Sequence, residues 1–498
     1  MEYHATFVFL PYSKIDAMPM APALLKAICD NNGLKTTTVD LNVETQRAYR
    51  DTKWATEIEK YIMYFSEMSE EAHDWYHQYI EGRAKELIAM KSNWIGLSLL
   101  SFQSLCFAHD LCFYIKKNAP NQKIILGGPG ISKDDNVNGT YKNNKKMSDT
   151  MLETKLCDAV VVNESENLLI DILTNNKTGK FNTNTQISQE ELNQLPAPSY
   201  IDYKFDLYES SSTIFAGTAT AAATITGSKG CVRRCTFCDV FTFEPKYVFK
   251  DGNKIADEMI EIYETQGIKN FFMSDSLING SMKAFRQMNE ALAKKLPRTL
   301  SYYGEYIARP EGQTTSEDYD LMALAGCKHV TVGIESGSEA VRNHMRKKFT
   351  NEDLSVMIES LEKVGITQEW NLMTGYVTET RKDFEETLAL VKKYKDFKFP
   401  NVIVNPVGVL HLLPGSPLYD THARQLEIEW EDVKQGVGLV YQYWKTSTNP
   451  ENTFFNRTNW WIELLELCNK YKLMTEHRYK QKKTLAERML QHWKENKA

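Results

Sequence analysis

The chain has 498 residues, a formal net charge of −6 and nine cysteines. The length allows about three domains with buried cores, the acidic balance argues against a dedicated nucleic-acid or anionic-membrane binder, and an odd cysteine count does not suit a disulfide framework, so a reducing, cytoplasmic setting is expected. The start Met1-Glu2-Tyr3-His4 lacks a basic region, the apolar run Ala5–Leu10 is too short for a signal segment, and the uncharged stretch Ser210–Ser228 is too rich in Ser and Thr for a membrane span and reads as a buried strand.

Strand-like runs at Ala5–Leu10, Lys35–Leu41, Asn93–Leu99, Gln122–Leu126 and Asp158–Val162 alternate with helix-like segments such as Ala21–Asn32 and Ser104–Lys117. The alternation predicts a Rossmann-like, doubly wound parallel sheet over 1–189, which binds ligands beyond the carboxyl ends of its strands. Gly127-Gly128 ends one strand, where missing β-carbons admit a flat ligand, and Ser98-Leu99-Leu100 ends another. Together these resemble the Ser-x-Leu and Gly-Gly elements of cobalamin-binding domains, which implies cobalamin held near Ser98, Leu100, Gly127 and Gly128. The family's Asp-x-His-x-x-Gly element is missing: Pro11 to Pro19 fill its place without a histidine, so none from this loop would ligate cobalt. A tight strand-to-helix turn is the plain structural reading of the glycines, and a domain that keeps the fold without the cofactor stays an alternative.

Val43–Lys91 is long, charged and aromatic, and is expected to form helices packing over the sheet edge or a domain interface, with a substrate lid as the alternative. Ser132–Thr150 reads as a surface loop, and 190–210, with Pro196 and Pro198, as a linker.

From 211 to 426 six strand–helix units predict a partial TIM-like barrel, with strands at Thr218–Thr226, Lys269–Ser274, Leu300–Ile307, Lys328–Ile334, Gln368–Met373 and Asn401–Val409. Leu354, Met357, Ile358 and Leu361 stripe one helix, opened by Thr350 and closed by Gly365. After the first strand come Cys231, Cys235 and Cys238, spaced Cys-x-x-x-Cys-x-x-Cys with Phe237 before the third. Three thiolates can hold three corners of a cubane cluster and leave one iron open, whereas a structural zinc wants a fourth ligand, and the nearest candidates beyond the triplet are Cys327 and His329. Asp275-Ser276, Arg309, Glu335-Ser336-Gly337, Thr374-Gly375 and His411 fall at the ends of the later strands, on the rim where barrel chemistry sits.

The triplet resembles the signature of radical S-adenosylmethionine (SAM) enzymes. Gly333-Ile334-Glu335-Ser336-Gly337-Ser338-Glu339, Phe271 to Ser276 and Leu413 to Tyr419 resemble further segments of the cobalamin-type branch, as does Asn163-Glu164-Ser165-Glu166 at the end of the first domain. The resemblance covers roughly residues 1 to 420. It implies a [4Fe-4S] cluster on the three cysteines and SAM held by Phe237, Asp275, Arg309, Glu335, Ser336 and Gly375, with Glu164 added to the cobalamin set. Glu335 and Ser336 would accept from the ribose and ammonium, Arg309 would meet the carboxylate, and Phe237 would flank the adenine. Each has a plainer alternative: Glu335 or Asp275 as a helix cap, Arg309 as a surface ion pair, Cys327 as core packing, His411 as structural rather than proton-transferring.

Over 427–498, Trp460, Trp461, Leu464, Leu465 and Cys468 predict a helix docked on the barrel, and Arg478, Lys480, Lys482 and Lys483 a solvated basic face, with a polyanion contact as the alternative. The implied activity is radical methyl transfer to an unactivated carbon of a small-molecule or peptide substrate, with an external reductant such as flavodoxin or ferredoxin. Radical rearrangement or cyclisation without methyl transfer, and a non-catalytic scaffold, are the alternatives. Methylthio transfer to tRNA is disfavoured because the N-terminal domain lacks a second triplet. The sequence assigns no catalytic side chain.

Overall fold

The computed structural model describes residues 2–132, 146–164, 166, 168–183, 186–208, 221–397, 401–413, 415–422, 428–430 and 442–496. The chain divides into two compact units: Met1–Ser211, Ala216–Ile225 and Asp257–Phe272 form the first, and Ser212–Phe215, Thr226–Ala256 and Met273–Ala498 the second. Most of Ser132–Thr150, together with Ser165, Pro414 and the start of the expected Thr218–Thr226 strand, lies outside the described residues.

The first unit begins with β1 (Tyr3–Phe9), β2 (Ala17–Met18), α1 (Met20–Asn31), β3 (Thr36–Asp40), α2 (Leu41–Tyr49), α3 (Ala55–Tyr64), α4 (Glu70–Ala89) and β4 (Ser92–Ser98). It continues with α5 (Ser104–Asn118), β5 (Lys123–Gly127), α6 (Pro129–Ser132), α7 (Met147–Glu153), β6 (Ala159–Val162), α8 (Leu169–Asn175), β7 (Gly179–Asn182), α9 (Gln189–Gln194) and β8 (Ala222–Ile225). The main sheet runs β3-β1-β4-β5-β6-β7 and is parallel throughout. Alternation along each strand buries both faces: Val8, Leu97 and Leu126 join one core, Phe7, Ile125 and Val161 the other. This is the expected doubly wound sheet; the short β2 and β7 lacked a sequence signal.

The insertion Val43–Lys91 is part of the core. Ile58 and Ile62 of α3 and Tyr76, Ile80 and Ala84 of α4 pack with Leu111 and Ile115 of α5. The Tyr61 and Tyr76 hydroxyls both donate to Asp110, at 2.9 and 3.2 Å. A lid would not bury its apolar face so completely.

The second unit contains β9 (Ser228–Lys229), α10 (Val240–Phe243) and β10 (Val248–Phe249). The chain then passes through α11 (Gly252–Gln266) and β11 (Asn270–Met273), shared between the units, to α12 (Met282–Lys295), β12 (Ser301–Tyr306), α13 (Ser316–Ala325) and β13 (Cys327–Glu335). Next come α14 (Glu339–His344), α15 (Asn351–Lys363), β14 (Thr367–Thr374), α16 (Arg381–Lys393), β15 (Val402–Val409), β16 (Ile428–Trp430), β17 (Trp444–Thr446), α17 (Phe454–Lys470) and α18 (Glu476–Asn496). Strands β12 to β15 pair in parallel in sequence order, giving the strand–helix repeats of a partial TIM-like barrel. Capping boxes at Thr315, Thr350 and Thr380 start α13, α15 and α16.

The C-terminal helices close the edge of β15. Trp461 Nε1 donates to the Pro406 carbonyl at 3.1 Å, and Val404 N–H donates to Leu473 O at 2.7 Å, satisfying a strand edge that would otherwise be open. Much of the basic run is engaged internally: Arg478 with Glu369 at 2.9 Å, Lys482 with Pro406 O at 3.1 Å, Lys483 with Glu466 at 2.7 Å. No described helix is long and apolar enough to cross a membrane.

Candidate cluster and cofactor site

The cysteine loop is fastened at both ends. Beyond β8, Gly227 N–H and the Ser228 hydroxyl donate to the two Asp275 oxygens at 2.9 and 2.5 Å. Burial pushes the Asp275 carboxyl up to about 6, against these bonds, which favour its charged form. Gly230 turns the chain at φ +76°, its N–H on Glu244 at 2.6 Å, where a β-carbon would strike the Lys246 carbonyl. On the far side Thr236 N–H reaches Met345 O at 3.1 Å, Thr236 O accepts from Leu418 N–H at 2.7 Å, and the Thr236 and Tyr376 hydroxyls lie 2.6 Å apart.

All three thiols are free and half-buried. Burial raises each of them, Cys238 to about 11, while Lys347 and Arg233 pull Cys231 and Cys235 back towards thiolate. Among the described residues no three His, Cys, Asp or Glu side chains converge as they would on one metal ion. A cubane puts each thiolate on a different iron, so its ligands need not meet at a point.

At the end of β13 a register shift lies between Gly333 and Glu335, and Glu335 takes φ +68°. Lys347 is 6% exposed; its ammonium donates to Gly333 O at 2.9 Å and Glu335 Oε1 at 2.8 Å and lies 5.4 Å from the Phe237 ring centroid. Burial lowers the Lys347 pKa, but Glu335 and the nearby cysteines outweigh burial and leave it raised. Phe237 packs with Met345 and Tyr376.

Arg309 donates through Nη2 to the carbonyls of Asn279 and Gly280, the latter at 2.6 Å. Its Nε, like Nε and Nη2 of Arg233, is buried without a hydrogen-bond partner among the described residues. Burial, and then Arg233, lower the Arg309 pKa, so two guanidiniums share one neighbourhood.

Three expected SAM contacts have other duties here. Asp275 ties the cysteine loop to the end of β11; it is not the cap of α12, a role taken by Ser281. Ser336 is fully buried, its hydroxyl 3.5 Å from Glu379 and 3.3 Å from Thr387, so the hydroxyl faces the interior. Gly375, at φ +78°, leaves room for Arg457, whose side chain would collide with any β-carbon there. Arg457 is wholly buried, donates to the carbonyls of Asn452, Gln442 and Trp444 at 2.8 to 2.9 Å, and lies 3.8 Å from the Trp444 ring centroid. The His411 pKa is lowered by burial, and its ring meets Gln442.

In the first unit Leu99 N–H donates to Gly127 O at 2.8 Å, and Gly130 N–H to Leu99 O at 2.9 Å. The two glycines differ. Gly128, at φ +106°, is pressed against the Leu99 carbonyl, whereas a β-carbon on Gly127 would meet nothing nearer than Val161 O at 4.0 Å. Ser98 ends β4 opposite Gly127, Leu100 is 47% exposed, and Glu164 accepts from Ile187 N–H.

Residues 225–391 match the radical SAM superfamily. This stretch is a radical SAM domain. Among curated relatives, an uncharacterized protein of Methanocaldococcus jannaschii is 28% identical over 184 residues, covering 36% of this chain and 39% of that protein. The ribosomal protein uS12 methylthiotransferase RimO of Parabacteroides distasonis is 27% identical over 34% of this chain and 40% of its own length. The chain thus spans about two fifths of these two relatives. An uncharacterized methyltransferase of Pyrococcus horikoshii is 21% identical over 67% of this chain and 72% of its own. In fold, the cobalamin-dependent SAM radical enzyme OxsB matches 98% of this chain and 71% of its own at TM-score 0.64 and 15% identity. The radical SAM methyltransferase TsrM of Kitasatospora setae matches 87% and 79% at TM-score 0.57 and 15% identity.

The radical SAM domain implies a [4Fe-4S] cluster and SAM, and the residues present fit them: three free thiols on one fastened loop, and buried guanidinium N–H groups that lack an acceptor. Lys347 and Arg233 escaped the sequence reading as parts of the site, though Arg233 lies inside the cysteine motif, because nothing local says where a long cation points. Arg457 was beyond reach, lying 82 residues after the glycine it fills.

Proposed function

We propose that the protein is a cobalamin-dependent radical SAM methyltransferase acting on an unactivated carbon of a small-molecule or peptide substrate. The observation that carries this is the cysteine loop, three half-buried thiols fastened at a strand end among Lys347, Arg233 and Arg309. Cys231, Cys235 and Cys238 would hold the cluster; Glu335, Arg309 and Phe237 would hold SAM; Ser98, Leu100, Gly127 and Glu164 would line the corrin. When bound, these groups supply an electron, a 5′-deoxyadenosyl radical and a methyl carrier. Arg309 and Arg233 would meet the SAM carboxylate with charge-assisted bonds, which would satisfy their buried N–H groups. Glu335, held by Lys347, presents its second oxygen as an acceptor. Support for methyl transfer comes from the fold shared with OxsB and TsrM. Methylthio transfer is disfavoured because Cys29, Cys106, Cys112 and Cys157 are buried in the first unit with raised thiols, Cys29 and Cys157 to about 12.

The test is anaerobic reconstitution followed by product analysis. Uptake of about four iron and four sulfide, 5′-deoxyadenosine formation and a methylated product are expected. Stoichiometric zinc without iron overturns the cluster; a rearranged, unmethylated product overturns methyl transfer; absence of cobalamin uptake leaves the first unit a scaffold.

A further inference from the structure

The surface beside the cysteine loop has a composition unlike that of the chain as a whole. Between Gly230 and Lys246 the exposed residues include Val232 and Phe243, each 42% exposed, with Arg234 and Lys246. The adjoining segment, tied to the loop by the Thr236–Met345 backbone bond, exposes Arg346 and Lys348. Neither stretch exposes an acid: Glu244 turns in to Gly230 N–H, and Asp239 is half-buried. A cationic surface with apolar residues in it thus stands on a chain of net charge −6. Arg234 is held in place, its Nη2 on Pro245 O at 2.6 Å and its guanidinium 5.3 Å from the Phe241 ring centroid.

Resting on the reading of the cysteines as cluster ligands, we propose that this face, centred on Val232, Arg234, Phe243, Arg346 and Lys348, is the docking surface for an acidic one-electron donor protein of the flavodoxin or ferredoxin class. Val232 and Arg234 are covalent neighbours of Cys231 and Cys235, so a donor seated there has a short through-bond route to the cluster. One electron leaves the reduced flavin or iron–sulfur centre of the donor and enters the cluster; the donor is oxidised by one electron, the cluster reduced by one, and no bond is made or broken. Exposed apolar residues among several cations suit a brief encounter: charge steers approach and sets register, and the few apolar residues limit residence.

The test compares the holoenzyme with the Arg234→Glu, Arg346→Glu, Lys348→Glu triple variant. Flavodoxin affinity is measured by titration calorimetry at two salt concentrations, and cluster bleaching by stopped flow with either reduced flavodoxin or dithionite. The expected result is flavodoxin binding weakened about 10-fold or more at low salt, with wild-type binding itself weakening as salt rises. Flavodoxin-driven bleaching slows to match, and dithionite-driven bleaching is unchanged. Equal affinity and equal rates with flavodoxin overturn the proposal, as does an equal slowing with both reductants, which marks damage to the loop. Failure of the wild-type protein to assemble a cluster that dithionite bleaches overturns the cluster reading instead, and leaves calorimetry to decide the docking surface alone.

Discussion

The loop at Cys231–Cys238 follows the short antiparallel strand β9 and the turn at Gly127–Gly128 follows a strand of a parallel sheet, and the two are built in different ways. The loop is held at its start by side chains, Asp275 and Glu244 receiving its amides, and at its end by Thr236, through backbone bonds to Met345 and Leu418 and the Tyr376 hydroxyl, while Lys347 sets a charge beside the thiols. The turn is held by backbone, with Leu99 bonded on both sides and Gly128 closed against its carbonyl. A site made of side-chain chemistry leaves its residues in the sequence. A site made by leaving side chains out leaves only glycines, which many turns share.

Replacing Cys231, Cys235 and Cys238 together by alanine has the largest expected effect: iron and sulfide uptake falls from about four each to none and 5′-deoxyadenosine formation is lost. Cobalamin uptake, read by absorbance, persists. If both cofactors vanish together, the two regions are not independent and the contrast between them fails.

Gly128→Val sharpens the contrast from the other side. The collision with Leu99 and the positive φ predict a loss of about 2–5 kcal/mol in unfolding free energy, read from the denaturant midpoint. Gly127→Val, with open space around it, is expected to change stability by less than about 1 kcal/mol while abolishing cobalamin binding. Equal destabilisation by the two substitutions would make Gly127 a packing residue as well.

A smaller effect is expected at Glu335. Glu335→Gln weakens SAM by about 1.5–3 kcal/mol, roughly 10- to 150-fold in Kd, with iron content unchanged. Full retention of affinity would reduce Glu335 to the counter-ion of Lys347.

The last effect is a pH slope. Burial pushes the Glu379 carboxyl up from 4.5 to about 8, so between these values the folded chain keeps a proton that the unfolded chain has released. Stability is therefore highest below that window and falls as pH rises through it. Below about pH 6, Asp275 and, in the other unit, Asp40 add slopes of the same sign, each having been raised by burial from 3.8 to about 6. Glu379→Gln should flatten the dependence of unfolding stability on pH between 6 and 8 and leave below pH 6 only the part of the slope that Asp275 and Asp40 supply.

The sequence expectation was accurate where a periodic pattern and a local signal coincided. Thr350 caps α15 and Gly365 follows its end at φ +73°, and Leu354, Met357, Ile358 and Leu361 are buried on one face. It was silent on what else the expected site residues do. Ser336 and Gly375 sit at strand ends in motif context, and the hydroxyl of one turns inward to Glu379 while the missing β-carbon of the other makes room for Arg457. Asp275 was recognised as important, but as a ligand contact and not as the brace of the cysteine loop.

What the sequence determined by itself was therefore the donor set and the order of elements: three cysteines at fixed spacing, strands and helices in alternation, glycines at strand ends. These follow from covalent spacing and from the periods of strand and helix, which act over a few residues. Which face a side chain takes was decided only by tertiary structure. Lys347 reaches Glu335 and Phe237, and Arg457 fills the space left at Gly375, because a long cation taken from water settles wherever distant carbonyls, carboxylates and rings can satisfy it, and that depends on contacts between residues the sequence keeps far apart.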